Sequence, residues 1–244
     1  LDDVVYVTAN PRVNLAFEGR FHEVINVWQD GWDDSLQTVP PETVADATIR
    51  ALETYPHKRV ISHFIQPHAP FIGEYAQQNL VYHSTLSGRR PDADDGDSAS
   101  ENVWTLLRRG EVNKEVVKRA YDENLEIALP HVERIMHAEV GKTVVTSDHG
   151  NLLGERVPPF MKRFYGHPSQ FQARALLSVP WLEHDTGFRR KILAEEPNNN
   201  EATDADSNIE QKLKATYGED AKIYFSKDPR MMGGLSIKIG DEML

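Results

Sequence analysis

The stretch Val144-Val145-Thr146-Ser147-Asp148-His149-Gly150 constrains this chain more than any other. A short β-branched apolar run predicts a buried strand over residues 143–147. It ends in a carboxylate, an imidazole and a glycine. In α/β sheets, ligands collect beyond the carboxyl ends of the strands. An Asp and a His projected side by side from such an end are suited to one divalent cation. Gly150 lets the chain turn there without a side chain blocking the site. The tetrapeptide alone fits an ordinary turn leaving a strand equally well.

Two further segments tip that balance. Val60-Ile61-Ser62-His63-Phe64-Ile65 predicts a second buried strand, and it runs into Gln66-Pro67-His68-Ala69-Pro70-Phe71. Downstream of the first motif lies Phe164-Tyr165-Gly166-His167-Pro168. His68 and His167 are thus loop histidines able to aim into the same crevice as Asp148 and His149. The plainer alternatives are a turn His fixed between two prolines for His68 and an exposed loop His for His167. His63 alternates with apolar strand positions and is expected to be a satisfied buried or edge residue.

Taken as an ordered set, these pieces resemble the alkaline phosphatase superfamily, and within it the sulfatase-like branch. The matching parts are Pro67-His68-Ala69-Pro70-Phe71, a long helix around Tyr121, Thr146-Ser147-Asp148-His149-Gly150-Asn151-Leu152-Leu153-Gly154-Glu155, and Gly166-His167. The set spans roughly residues 1–185 and is similar to sulfatase-like proteins of halophilic archaea. The resemblance implies an α/β fold, an alkaline-phosphatase-like mixed sheet flanked by helices. It implies Asp148 and His149 as metal ligands, and His68 and His167 as substrate contacts or second-metal ligands. Three imidazoles and one carboxylate suit zinc or manganese better than calcium, which prefers oxygen. Calcium is the alternative, with further oxygens drawn from elsewhere. Asn151 and Glu155 are expected to orient His149 from behind. Lys162 and Arg163 are weighed as anion contacts against plain solvated loop cations, and Asn10 and Asn14 as crevice lining.

The resemblance also implies a second half of the centre, a strand ending in an acid followed by a Ser, Thr or Cys nucleophile. The chain does not show it. It starts Leu1-Asp2-Asp3-Val4-Val5-Tyr6-Val7-Thr8-Ala9-Asn10-Pro11, which reads as an internal strand over 4–8, so the domain is expected to be N-terminally incomplete. The chain holds no cysteine from which a formylglycine could be made. Thr8 is the only early strand-end hydroxyl, and a strand Thr before an Asn-Pro turn is its simpler role.

Composition narrows the function classes. The 244 residues are long enough for one α/β domain with a substantial core. A net charge of −11 argues against non-specific nucleic-acid binding, which requires cations against phosphates. No apolar run approaches the roughly 20 residues of a membrane span.

Along the chain, 21–28 alternates partly and predicts a strand or strand-like loop. Pro40-Pro41-Glu42 starts a helix with Val44, Ala47, Thr48, Ala51 and Leu52 as its stripe and Pro56 beyond its end. Residues 87–101 predict a solvated acidic loop; Asp92, Asp94, Asp95 and Asp97 lack calcium-loop spacing. The strongest helix is 113–138, with Val117, Tyr121, Leu125, Ala128, Val132 and Ile135 inward, a kink expected at Pro130, and His131 and His137 at the surface. Residues 176–182 predict a strand rejoining the sheet.

Domain boundaries follow: 1–195 for the sulfatase-like part, 196–207 as a polar linker, and 208–244 as a small αββ tail. The tail comprises a helix at 208–217, a strand at 221–225 and a closing turn and strand over 228–241. The run Gly233-Gly234-Leu235-Ser236-Ile237-Lys238-Ile239-Gly240-Asp241 is similar to the end of the delta (OSCP) subunit of rotary ATP synthases. The function expected is metal-dependent hydrolysis of sulfate or phosphate esters, inactive without a nucleophile, on a small-molecule, glycan-linked or lipid-linked anionic ester. The alternative is a sulfatase-like shell that binds a partner or glycan without catalysis. A phosphomutase-type member of the superfamily requires more acidic and His ligands than the chain offers.

Overall fold

A computed structural model describes residues 1–11, 13, 19–80, 103–139, 141–157, 162–168, 173–194, 238–239 and 242–243. The first sheet forms around β1 (Val4–Thr8), whose β-branched residues suit a pleated surface. Val5 and Val7 are fully buried. Parallel neighbours lie on both sides: β2 (Glu23–Asn26) and β3 (Arg59–His63), giving the order β2-β1-β3. The register pairs Val5 with Val60 and Thr8 with His63. The strand expected within 21–28 is therefore short. It passes directly into a helical turn, α1 (Val27–Asp30), which buries Val27 and Trp28.

Helix α2 (Pro41–Thr54) crosses from β2 back to β3. Pro41 fits its first turn, where no N–H partner is lost, and Glu42 favours the positive end. Val44, Ala45, Ala47, Thr48 and Ala51 are buried. Thr48 Oγ1 donates to the Val44 carbonyl and lies 2.7 Å from Ser62 Oγ, joining helix to strand. Leu52, expected on this stripe, is only half-buried, and Ala45 takes the inward place.

A second core gathers around α3 (Glu74–Asn79), α4 (Val103–Arg109) and α5 (Lys114–Ala138). It holds Phe71, Leu80, Val103, Trp104, Leu107, Val117 and Ala120. Asn113 caps α5 by accepting from Glu115 N at 2.7 Å. The inward face of α5 is Val117, Ala120, Asn124, Ala128 and Ile135. This corrects the expected stripe: Leu125 is 40% exposed and Tyr121 half-buried, because a polar residue, Asn124, occupies the centre of the buried face. Pro130 lies within the helix as expected, and His131 is half-buried while His137 is exposed.

The chain then enters β4 (Lys142–Thr146), which pairs antiparallel with β7 (Trp181–Asp185). β4 is not the buried strand expected from its composition. Its residues alternate between exposed and half-buried, and among the described residues it pairs only with β7, apart from the first sheet. Residues 176–182 also differ from expectation. Residues 174–177 form a helical turn, α6 (Arg174–Leu177), and the strand begins only at Trp181. Pro180 has no N–H for a ladder, so it stays just outside and accepts from Thr146 Oγ1 at 2.7 Å. Between β4 and α6 a hairpin is formed by β5 (Leu152–Val157) and β6 (Lys162–Gly166).

In the tail, β8 (Lys238–Ile239) pairs antiparallel with β9 (Glu242–Met243), partly within the closing strand expected there. The expected acidic loop at 87–101, the linker at 196–207, the helix at 208–217 and the strand at 221–225 lie outside the described residues. The described residues form a mixed helix-and-strand structure with small sheets, and among them no helix is long and apolar enough to cross a membrane.

The starts of β3 and β4 are tied by Arg190. Its guanidinium donates to both carboxylate oxygens of Glu139 at 2.9 Å and to the carbonyls of Tyr55 and Pro56. Both side chains of the ion pair are largely covered, at 18% and 12% exposure. Removing one partner of such a pair leaves the other charge uncompensated. Arg190→Ala is expected to lower stability by about 2–3 kcal/mol, read as a lower urea midpoint at unchanged slope.

Candidate functional site

The carboxyl end of β3 leads through Phe64 and Ile65 into the Pro67–Pro70 loop that carries His68. This loop is fixed from behind by α5. The fully buried Asn124 donates Nδ2 to the carbonyls of Pro67, His68 and Pro70 at 3.0–3.3 Å, and its Oδ1 accepts from Ile72 N at 2.9 Å. The residue just before it, Glu123, uses its carboxylate to accept from the N–H groups of Tyr75 and Ala76 at the start of α3. A loop has main-chain groups that no ladder satisfies, and here one helix supplies them. Neither Asn124 nor Glu123 was expected from the sequence. The one available signal was a polar residue in phase with Val117, Ala120 and Ala128.

The carboxyl end of β4 delivers Asp148 and His149. Gly150 N donates to the Leu176 carbonyl at 2.9 Å, and a Cβ on Gly150 would lie 2.0 Å from the Ala175 carbonyl oxygen. Glycine is needed here for this close approach to α6, rather than for an unusual dihedral. His167 follows the last residue of β6, Gly166, whose φ of +71° lies in the left-handed region.

The four sequence candidates come together. His68 Nε2 and His167 Nε2 are 3.1 Å apart. The rings of His149 and His167 stack with centroids 4.4 Å apart and planes at 34°. His149 Nε2 lies 3.7 Å from Asp148 Oδ2, and the Asp148 side chain is 71% exposed. Hydrogen bonding assigns the tautomers. His68 Nδ1 is 2.6 Å from the Ala69 carbonyl, and His149 Nδ1 is 2.9 Å from the Gly150 carbonyl. A carbonyl accepts only, so both Nδ1 atoms carry the proton and both Nε2 atoms keep a lone pair. His167 Nε2–H then donates to His68.

A backbone acceptor on the other ring nitrogen is also how metal-binding histidines are usually held. The donor types therefore fit a divalent cation. Among the described residues, however, no three His, Asp or Glu side chains already form a group that could hold a metal ion.

A second layer sits behind the imidazoles. His63 Nδ1 lies 3.1 Å from Tyr6 Oη and 3.4 Å from Thr8 Oγ1, so it is a satisfied strand histidine, as expected. Thr8 is fully buried, and its Oγ1 accepts from Asn10 N at 2.9 Å, holding the turn after β1. That engagement fits the turn role better than attack on a substrate. Asn151 Nδ2 donates to Tyr121 Oη at 3.2 Å and Glu155 accepts from Leu153 N; the nearest ring partner of His149 is the Gly150 carbonyl. The expected support of His149 by Asn151 and Glu155 is thus replaced by main chain. Lys162 and Arg163 are exposed, and Arg163 donates to the Gly154 carbonyl at 3.2 Å. Asn14 lies outside the described residues.

Electrostatics link the two layers through Asp148. Burial, aided by Asp148, raises the Tyr6 phenol above its ordinary range. Tyr121 is also raised, mainly by burial, with Asn151 opposing. His63 is lowered by burial, which outweighs the attraction of Asp148. His167 is lowered by desolvation, then by His149 and His68, again against Asp148. Although His167 is exposed as a residue, its ring is flanked by two other imidazoles, and the local desolvation arises there.

No protein-family model matches this chain, and no solved structure matches it.

Two outcomes are expected from these contacts. Asn124→Ala leaves several buried carbonyls and one N–H without partners, and should destabilise the chain by about 2–4 kcal/mol in urea unfolding while shifting the His68 ring resonances. The lowered His63 and His167 values mean that, as pH falls, the unfolded chain takes up protons first. Stability should therefore decline from about pH 6.5 downward and level off below the folded-state values. His63→Gln should flatten part of that decline in urea midpoints measured from about pH 8 to about pH 5.

Proposed function

We propose that this chain is the metal-binding half of a sulfatase-like hydrolase of the alkaline phosphatase superfamily, acting on sulfate or phosphate esters. The observation that carries this reading is the meeting of His68, His149 and His167, brought from three separate loops to the carboxyl ends of β3 and β4 beside the exposed Asp148. Two of these rings present an Nε2 lone pair with Nδ1 fixed on a carbonyl. Parallel strands with a crossover helix, as in β2-α2-β3 around β1, are compatible with the superfamily's sheet.

Asp148 and His149 hold the cation, with His68 and His167 contacting substrate oxygens or completing the ligand set. When bound, zinc, manganese or calcium supplies Lewis acidity toward a sulfuryl or phosphoryl oxygen. The chain's own groups do the rest. Neutral His68 and His167 exchange one hydrogen bond and can accept or donate a proton at Nε2. Asn124 and the Gly150 contact fix the loops that present the rings. The substrate class is a small anionic ester, free or attached to a glycan or lipid. The nucleophile comes from polypeptide outside the described residues, since Thr8 is buried in its own turn. That burial also favours a second reading, a sulfatase-like shell that binds its ligand without turning it over.

Equilibrium dialysis against zinc and manganese tests the metal reading. The wild-type chain should bind one cation, and Asp148→Ala or His149→Ala should weaken that binding by at least about tenfold. Equal metal content in the wild type and in the Asp148→Ala/His149→Ala double variant would exclude it.

A further inference from the structure

β3 and β4 are tied together near both ends, yet they do not pair. At their starts, Arg190 bonds to Glu139, which precedes β4, and to the Tyr55 and Pro56 carbonyls, which precede β3. Leu193 N, in the segment after β7, adds a bond to the His57 carbonyl before β3 at 2.9 Å. At their carboxyl ends, β3 leads to His68 and β4 to His149, and both of these rings meet His167. Both strands therefore point the same way. Each is five residues long, and they belong to separate sheets, β2-β1-β3 and β4-β7.

The hydrogen-bond phase shows what faces the gap. Arg59 N donates to the Asp3 carbonyl, and Ala9 N donates to the His63 carbonyl. In a parallel ladder this commits residues 59, 61 and 63 to β1 and turns the main chain of Val60 and Ser62 outward. On the other bank, Thr186 N bonds to the Gly141 carbonyl. Alternation from there commits Thr143 and Val145 to β7 and turns Lys142, Val144 and Thr146 outward. β4, rather than β7, borders the gap, because Glu139 just before β4 shares Arg190 with the Tyr55 and Pro56 carbonyls and β4 exits to His149 at the crevice, whereas Trp181 and Leu182 of β7 are 65% and 54% exposed.

Ile61 and Val144 are left 40% and 37% exposed, and Thr143 Oγ1 is a buried hydroxyl with no hydrogen-bond partner among the described residues. One guanidinium reaches both banks. A bridge of one guanidinium matches a gap one strand wide, with about 5 Å from an inserted backbone to each side.

We propose that β3 and β4 are the two edges of a slot that accepts one extended polypeptide strand. The partner strand is about five residues long, apolar and β-branched, and runs parallel to both edges. Two facing rows of N–H and C=O groups can be satisfied together only by another backbone, and exposed edges of this kind template strand addition. The inserted strand joins the two sheets into one, covers Ile61 and Val144, and brings its carboxyl end to the His68–His149–His167 crevice. The slot stands on backbone geometry alone and does not depend on the metal reading.

The test uses the whole chain and a synthetic peptide, acetyl-Lys-Val-Val-Ile-Val-Ile-Lys-amide, with amide hydrogen exchange as readout. Saturating peptide should slow exchange at Val60, Ser62, Val144 and Thr146 by at least about tenfold, leaving the outer edges of β2 and β7 unchanged. The same peptide N-methylated at alternate residues should give no protection. Val144→Pro removes a slot-facing N–H that β7 does not use, so the variant should fold and lose the protection. Three results would each overturn the proposal: no protection, protection confined to β2 or β7, or the four amides already slow in the peptide-free chain.

Discussion

One buried amide holds the candidate site in place. Asn124 satisfies three carbonyls and one N–H of the segment from Pro67 to Ile72, all within 3.3 Å. The interior of a helix face is a costly place for an unpaired amide, and here every polar atom of it is used. The consequence is mechanical. Helix α5 holds the loop of His68 through Asn124 in its interior and ends at Glu139, where Arg190 fixes the start of β4. A single rigid element thus sets the positions of two loops that lie far apart in sequence. The alignment of His68 with His149 rests on that element rather than on direct pairing between their strands.

The crevice is arranged to keep the His167 imidazole neutral. The chain carries a net charge of −11, yet the three rings lie against one another, and His167 is flanked on two sides. At His167, desolvation and then repulsion from His149 and His68 outweigh the attraction of Asp148. Backbone carbonyls at Nδ1 fix the orientation of the His68 and His149 rings, and His68 Nε2 accepts from His167. The Asp148 side chain, 71% exposed, lies at the open side of the group.

Much of this was legible in the sequence where local chemistry decided the outcome. The β-branched run at Val4–Thr8, the Pro41 start of α2 and the cap at Asn113 lie close to where their residue types indicate. So does the convergence of His68, Asp148, His149 and His167, because strand ends in α/β structures gather at one edge. Tertiary pairing was not legible. Val144 and Val145 suggest a buried strand, but burial depends on what lies beside β4, and residue type carries no information about that. Asn124 was misjudged because apolar periodicity counts a polar residue as a break, whereas a loop full of unpaired carbonyls makes it the best residue for that position. Leu176 and Leu177 suggested a strand, and the carbonyl of Ala173 drew them into a helical turn instead.

The steric limit at Gly150 reaches beyond its own turn. A single methyl group there collides with the Ala175 carbonyl, so α6 and the Asp148–His149 pair can only shift together. The helical turn at Arg174–Leu177 therefore works as a fixed stop for Asp148 and His149. Any change within that turn that displaces the stop is transmitted to the carboxylate and imidazole without contacting either.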